Sequence, residues 1–109
     1  MIDEQEFRLK VDECFRRLYR ALANASDEHE FETDLGDALT VEFESPKAKF
    51  VVSPNAPVRQ IWVSAQSRSF KLDFDAAQDT FVLSETGQTL TELMEEVVGR
   101  QLGNAVSLK

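Results

Sequence analysis

Histidine and cysteine are almost absent from this 109-residue chain, which carries one of each, His29 and Cys14. A single cysteine makes no intramolecular disulfide and builds no Cys-based zinc or iron-sulfur site, so a reducing cytoplasm is the expected home. One histidine in an acidic stretch leaves little material for a Ser-His or Cys-His pair. Gly-rich phosphate loops, G-x-S-x-G and H-E-x-x-H are missing too. No apolar run approaches the roughly 20 residues of a membrane span. The opening MIDEQEFRLK has neither an apolar signal core nor an Arg-rich, acid-poor transit character. Internal repeats and low-complexity tracts are absent as well, which excludes repeat and linker architectures.

What remains is ordinary globular material, 42% hydrophobic and 29% charged, of a length that fits one domain over residues 1–109. The charge is unevenly placed. Residues 1–44 hold 13 of the 20 acidic residues and 5 of the 12 basic ones, so the whole net charge of −8 resides there. Within them, Asp27, Glu28, Glu30, Glu32, Asp34, Asp37, Glu42 and Glu44 follow one another with no Lys or Arg between. Such a block repels nucleic-acid phosphates and favours metal cations or a basic protein surface. The plainer reading is a solvated face that keeps a small protein soluble.

Phe7, Val11, Cys14, Phe15, Leu18 and Leu22 recur at steps of three and four, which predicts an amphipathic helix over about Asp3 to Ala25. The period then changes to two. Phe31, Thr33 and Leu35 alternate with Glu30, Glu32 and Asp34, and Leu39, Val41 and Phe43 with Thr40, Glu42 and Glu44. This predicts a hairpin about Gly36-Asp37 with an acidic outer face. Ser45-Pro46 closes it, a third strand spans Lys47 to Ser53, and Pro54 to Pro57 reads as a loop because proline cannot donate to a ladder. Further strands are expected over Arg59 to Ala65, Ser69 to Phe74 and Thr80 to Leu83. Thr89 with Glu92 has capping-box spacing ahead of Leu90, Leu93, Met94, Val97, Val98 and Leu102, with Gly103 as the stop. The tail over Asn104 to Lys109 is expected to pack back on the helices. The order predicts an α+β two-layer sandwich, with two helices on one face of an antiparallel sheet of about six strands and the other face wet.

Chemistry is then sought among the acids and on the wet face. Carboxylates are hard ligands suited to Mg, Ca, Mn and iron, whereas zinc or copper would want the His or Cys that are lacking here. Successive outward residues on one strand lie about 6.6 Å apart, too far to chelate together. Cross-strand pairs drawn from Glu30, Glu32 and Asp34 against Thr40, Glu42 and Glu44 come closer, so several weak sites are expected and not a cage. Cys14, on the helix stripe, reads as a small core residue. Trp62 alternates with Ile61 and Val63, which places it on the open face beside Gln60 and Ser64; an inverted register would bury it. An exposed Trp suggests a protein contact.

Pro57-x-x-Gln60-Ile61-Trp62-Val63-Ser64 resembles the P-x-x-Q-I-W-L-S strand of the frataxin family, in particular its bacterial CyaY-type members. Phe70 to Phe74, and Ser84-x-x-Gly87 leading into Thr89-Leu90-x-x-Leu93, extend the resemblance over nearly the whole chain. It implies an iron-binding regulator or iron supplier of iron-sulfur cluster assembly, not an enzyme, whose acidic block binds iron weakly and contacts a cysteine desulfurase. Carried onto this chain, the implied metal residues are Asp27, Glu28, Glu30, Glu32 and Asp34, with Glu42 and Glu44. Glu30, Glu32 and Asp34 are also the acidic positions implied to contact the partner, and Gln60, Trp62 and Ser64 join them as expected partner-binding residues on the strength of the exposed Trp. The protein is expected to work with the iron-sulfur scaffold machinery and to be monomeric when metal-free. The chain departs from the family at Val52-Ser53-Pro54-Asn55, where many relatives carry I-N-x-Q, at Ala23 and Asn24, which shorten the acidic ridge, and at Arg8, a histidine in some relatives.

Two other classes compete. A ferroxidase-like iron oxidase would need a defined di-iron centre, usually with Glu and His on facing helices. A metal-independent acidic interaction module would need only the charge. In every case the crowded acids repel one another, so added salt or divalent cations are expected to raise the melting temperature. Changing Glu30, Glu32 and Asp34 together to Gln, Gln and Asn should abolish that rise. Thermal unfolding across salt and metal checks it, and a flat response would mean the repulsion is relieved by other means.

Overall fold

The computed structural model describes residues 2–44 and 47–108, so the expected Ser45-Pro46 turn lies outside the described residues. Helix α1 runs over Glu4–Ala25. Asp3 caps it: its carboxylate accepts from the Glu6 amide at 2.9 Å, satisfying one of the orphan donors of the first turn. Phe7, Val11, Phe15, Leu18 and Leu22 are buried along one stripe. Cys14 lies at the margin of that stripe, only partly buried.

Among the described residues seven strands follow: β1 (Phe31–Leu35), β2 (Leu39–Glu44), β3 (Lys47–Asn55), β4 (Gln60–Ala65), β5 (Arg68–Asp75), β6 (Thr80–Leu83) and β7 (Gln88–Thr89). They lie in chain order in one sheet, each antiparallel to the next. Helix α2 (Leu90–Leu102) closes the fold. Thr89 and Glu92 form the complete capping box, and Gly103 ends α2 at φ 73°, a left-handed position that suits glycine. Among the described residues no helix is long and apolar enough to cross a membrane.

Three sequence expectations are corrected. The sheet has seven strands and not about six, because β7 is two residues long and too short to show alternation. Pro54 belongs to β3 and pairs with Ile61, where a loop was expected. The reason is that pairing of β3 with β2 stops at Val52, so Pro54 sits where the strand has a neighbour on one side only and its missing N–H is tolerated. Arg59, expected to open β4, adopts φ 55° and caps the short 3-10 helix Ala56–Val58 instead.

The alternation of the strands sorts the sheet into two surfaces. Leu39, Val41, Phe43, Phe50, Val52, Ile61, Val63, Leu72 and Phe81 face α1 and α2 and are buried with them in one core. Aromatic side chains lock both ends of this layer. Phe7 meets Phe81 edge-on at 5.7 Å and Phe74 meets Phe81 at 5.4 Å, while Phe43 packs against Phe50 at 4.8 Å. The tail folds back: Leu108 is buried, and its amide donates to the Glu95 carboxylate at 2.8 Å.

A two-residue turn joins β4 to β5 through Gln66 and Ser67, both at positive φ (53° and 64°), the requirement of a type I′ hairpin. Neither residue is the Asn or Gly that this turn favours, and each left-handed residue costs about 1–2 kcal/mol. Replacing the pair with Asn-Gly should therefore stabilise the protein by about 1 kcal/mol or more. Urea unfolding should show a higher midpoint with an unchanged slope; an unchanged midpoint would mean that the native side chains offset the strain.

Candidate metal and partner surface

The open face of the sheet divides into an acidic half on β1 and β2 and a half centred on Trp62. Asp27 and Glu28 occupy the turn after α1, where their backbone amides donate to the Asn24 and Ala25 carbonyls. Glu30 lies in the bend before β1, and Glu32 and Asp34 project outward from β1 itself. On β2, Glu42 stands directly opposite Glu32, Thr40 opposite Asp34, and Glu44 opposite Lys47. Of the expected chelating pairs, then, the register brings only Glu32 and Glu42 face to face as two carboxylates. Glu30 precedes the first paired residue, Phe31.

The helix and sheet acids differ in electrostatic state. On α1, Glu4 pairs with Arg8 at 3.3 Å, Asp12 with Arg16 at 3.2 Å and Glu13 with Lys10 at 3.9 Å. Lys10 also reaches Asp79 at 2.9 Å, and this hydrogen bond raises the ammonium pKa above its ordinary value. By contrast, Glu42 has a distant partner in Lys49 at 4.0 Å, while Asp27, Glu28, Glu30, Glu32, Asp34 and Glu44 have no ion pair among the described residues. An open groove of about 730 Å³ runs along this end of the sheet, lined by Glu30, Glu32, Glu42, Glu44, Lys47 and Lys49 among others.

Among the described residues no three His, Cys, Asp or Glu side chains converge on a point where an ion could sit. The donor set is nonetheless oxygen, hard and uncompensated, which suits a hard cation held by one or two carboxylates with water completing its shell. Cys14 contributes nothing to such a site. Its Sγ lies 3.8 Å from Thr80 Oγ1, and burial pushes the thiol pKa up despite that hydroxyl, which keeps it a protonated filler between α1 and β6.

Trp62 stands 38% exposed on β4, flanked by half-buried Gln60 and exposed Ser64. Its Nε1 donates to Gln60 Oε1 at 2.9 Å, and Gln60 Nε2 donates to Asp73 Oδ1 at 3.0 Å. Lys71, directly across the ladder, lays its ammonium 4.9 Å from the indole centroid. The indole is thus held from two sides. Sequence reasoning named Gln60, Trp62 and Ser64 but missed Lys71 and Asp73, because only the register of β4 on β5 makes them neighbours. Their outward alternation with Phe70, Leu72 and Phe74 was the available signal.

A family model described as the Frataxin-like domain matches residues 1–104. The chain belongs to the frataxin family. It is 28% identical over 102 residues to the iron-sulfur cluster assembly protein CyaY of Pseudomonas fluorescens (strain Pf0-1), covering 94% of this chain and 91% of that protein. The protein of the same name from Azotobacter vinelandii is 26% identical with the same coverage, and that of Vibrio atlanticus is 27% identical over 95 residues. The frataxin of Psychromonas ingrahamii superimposes with a TM-score of 0.85 over 99% of both chains at 16% identity, a likeness of fold. Frataxin-family membership therefore rests on residues 1–104 of the chain, and these relatives are of the bacterial CyaY type.

Metal binding on this frataxin-family surface should be weak and local. Titration with cobalt followed by amide NMR is expected to perturb Asp27 to Asp34 first, with affinity falling as ionic strength rises past physiological values. Perturbation centred on Cys14 or α2, with the acidic block silent, would remove the assignment.

Proposed function

We propose that this chain is an iron-binding regulatory protein of iron-sulfur cluster assembly that works through a cysteine desulfurase and its scaffold partners. The observation that supports it most is the pairing, on one open sheet face, of uncompensated carboxylates with an indole held in place. Membership of the frataxin family and the printed function of the CyaY relatives supply the process. In this reading iron is cargo, taken weakly by Asp27, Glu28, Glu30, Glu32 and Asp34, with Glu42 and Glu44 as outlying ligands. The protein contributes binding surfaces and no bond-making chemistry of its own, acts in the cytoplasm, and is a monomer when metal-free.

The two halves of the face have different physical tasks. Exposed carboxylates attract a Lys- or Arg-rich patch over about a Debye length, which sets the encounter rate and its sensitivity to salt. Trp62, with its N–H already satisfied by Gln60, offers apolar area that desolvates at little polar cost. An oxidase reading gains nothing specific here, since a di-iron centre requires converging ligands.

Surface plasmon resonance against the desulfurase at two salt concentrations separates the two tasks. Glu30→Lys with Glu32→Lys should slow association and flatten its dependence on ionic strength. Trp62→Ala should leave association nearly unchanged and speed dissociation by an amount worth about 2 kcal/mol or more. No binding by the wild-type protein to either desulfurase or scaffold would refute the reading.

A further inference from the structure

Beside Trp62 the open face holds a small recess of about 170 Å³, lined by Val51, Ser53, Ser64, Ser69 and Lys71 against the indole. The register builds it: Ser53 stands opposite Trp62, Ser64 opposite Val51 and Ser69, and Lys71 opposite Trp62 on the far side. Small side chains on three neighbouring strands leave the floor low, and the indole and the lysine form the wall.

The polar groups around this recess are unequal in what they have left to offer. Gln60 and Asp73 are hydrogen-bonded to one another, and Gln60 also takes the indole N–H. By contrast, Ser53, Ser64 and Ser69 make no side-chain hydrogen bond among the described residues, and Lys71 has no ion pair there, only the indole face. Asp73 already accepts from Gln60, while one ammonium and three hydroxyls can still donate. The volume admits a single side chain with an apolar stem and an anionic end.

We propose that this recess receives one Asp or Glu side chain of the partner protein, its carboxylate on Lys71 Nζ and the serine hydroxyls and its methylene stem on the Trp62 ring. The inference rests on the partner-docking reading given under Proposed function and names the chemistry of the contact at its Trp62 half. The face then carries two charge signatures of opposite sign: carboxylates on β1 and β2 that ask for a basic surface, and a cationic socket on β4 and β5 that asks for an acidic residue. A partner of uniform basic charge would fit the first and be repelled at the second, so the socket fixes orientation as well as identity.

The test uses the full chain and the desulfurase-scaffold complex at physiological salt, with affinity read by biolayer interferometry. Lys71→Arg should stay within about threefold of wild type, Lys71→Met should weaken binding about tenfold, and Lys71→Glu should weaken it by about a further tenfold as two carboxylates meet. Changing acidic residues on the partner to Lys one at a time should then yield one that restores binding to Lys71→Glu. Equal affinities for Lys71→Met and Lys71→Glu would mean that Lys71 acts only on the indole, and tighter binding by Lys71→Glu would mean that a basic residue faces it; either overturns the proposal. The urea midpoint and Trp62 emission of each variant establish that the fold is kept. If the wild-type chain fails to bind the complex, the partner reading falls; if it binds and only the Lys71 series is flat, this inference alone falls.

Discussion

Burial of one sheet face beneath α1 and α2 is the constraint from which the rest of the surface follows. Phe50, Ile61, Leu72 and Phe81 lie on four adjacent strands and are all fully buried. A slip of one residue in any strand would exchange these for their polar neighbours, at a cost of about 1.5–3 kcal/mol for each large side chain brought into water. Register is therefore set from the core side. The outer row Ser53, Trp62, Lys71 and the outer pair Glu32, Glu42 are consequences of that choice, as strictly placed as the core residues behind them.

The charges on the two layers are managed differently. Along α1 acids and bases alternate at helical spacing and neutralise one another in exposed pairs, each worth a few tenths of a kcal/mol. On β1 and the preceding turn no such compensation exists among the described residues, although the composition includes bases enough to supply it. Like charges directly across a ladder are destabilising, as with Glu32 and Glu42, so this arrangement lowers stability locally. Retaining an uncompensated feature of this kind is what a binding surface requires, since a carboxylate already paired has less to offer a cation or a lysine.

The indole network on β4 and β5 shows the opposite strategy. Trp62 is exposed, but its N–H, the Gln60 amide and the Asp73 carboxylate satisfy each other in series, and Lys71 caps the ring. Side-chain freedom is thereby reduced beforehand, a pre-organised surface and not a mobile one. On the proposed reading the β1–β2 half acts over distance and the β4–β5 half on contact; β3 joins them through Lys49 on one side and Ser53 on the other.

Much of this was legible in the amino-acid order. The stripe from Phe7 to Leu22, the alternation from Phe31 to Phe43, the outward parity of Trp62 and the Thr89-Glu92 capping box are local patterns, each read within a few residues because helix and strand periods act at short range. The acidic block was legible for the same reason. Lys71 and Asp73 as companions of Trp62, the isolation of Glu32, Asp34 and Glu44 from any ion pair among the described residues, the place of Pro54 at a strand end with one neighbour, and the two-residue strand β7 were not. Each depends on which strand lies beside which and in what register, a matter decided by burial across the whole sheet. Sequence by itself determined the two helices, the longer strands and their faces; the tertiary structure decided who stands opposite whom, because cross-strand neighbours are chosen by the packing of the shared core and not by separation along the chain.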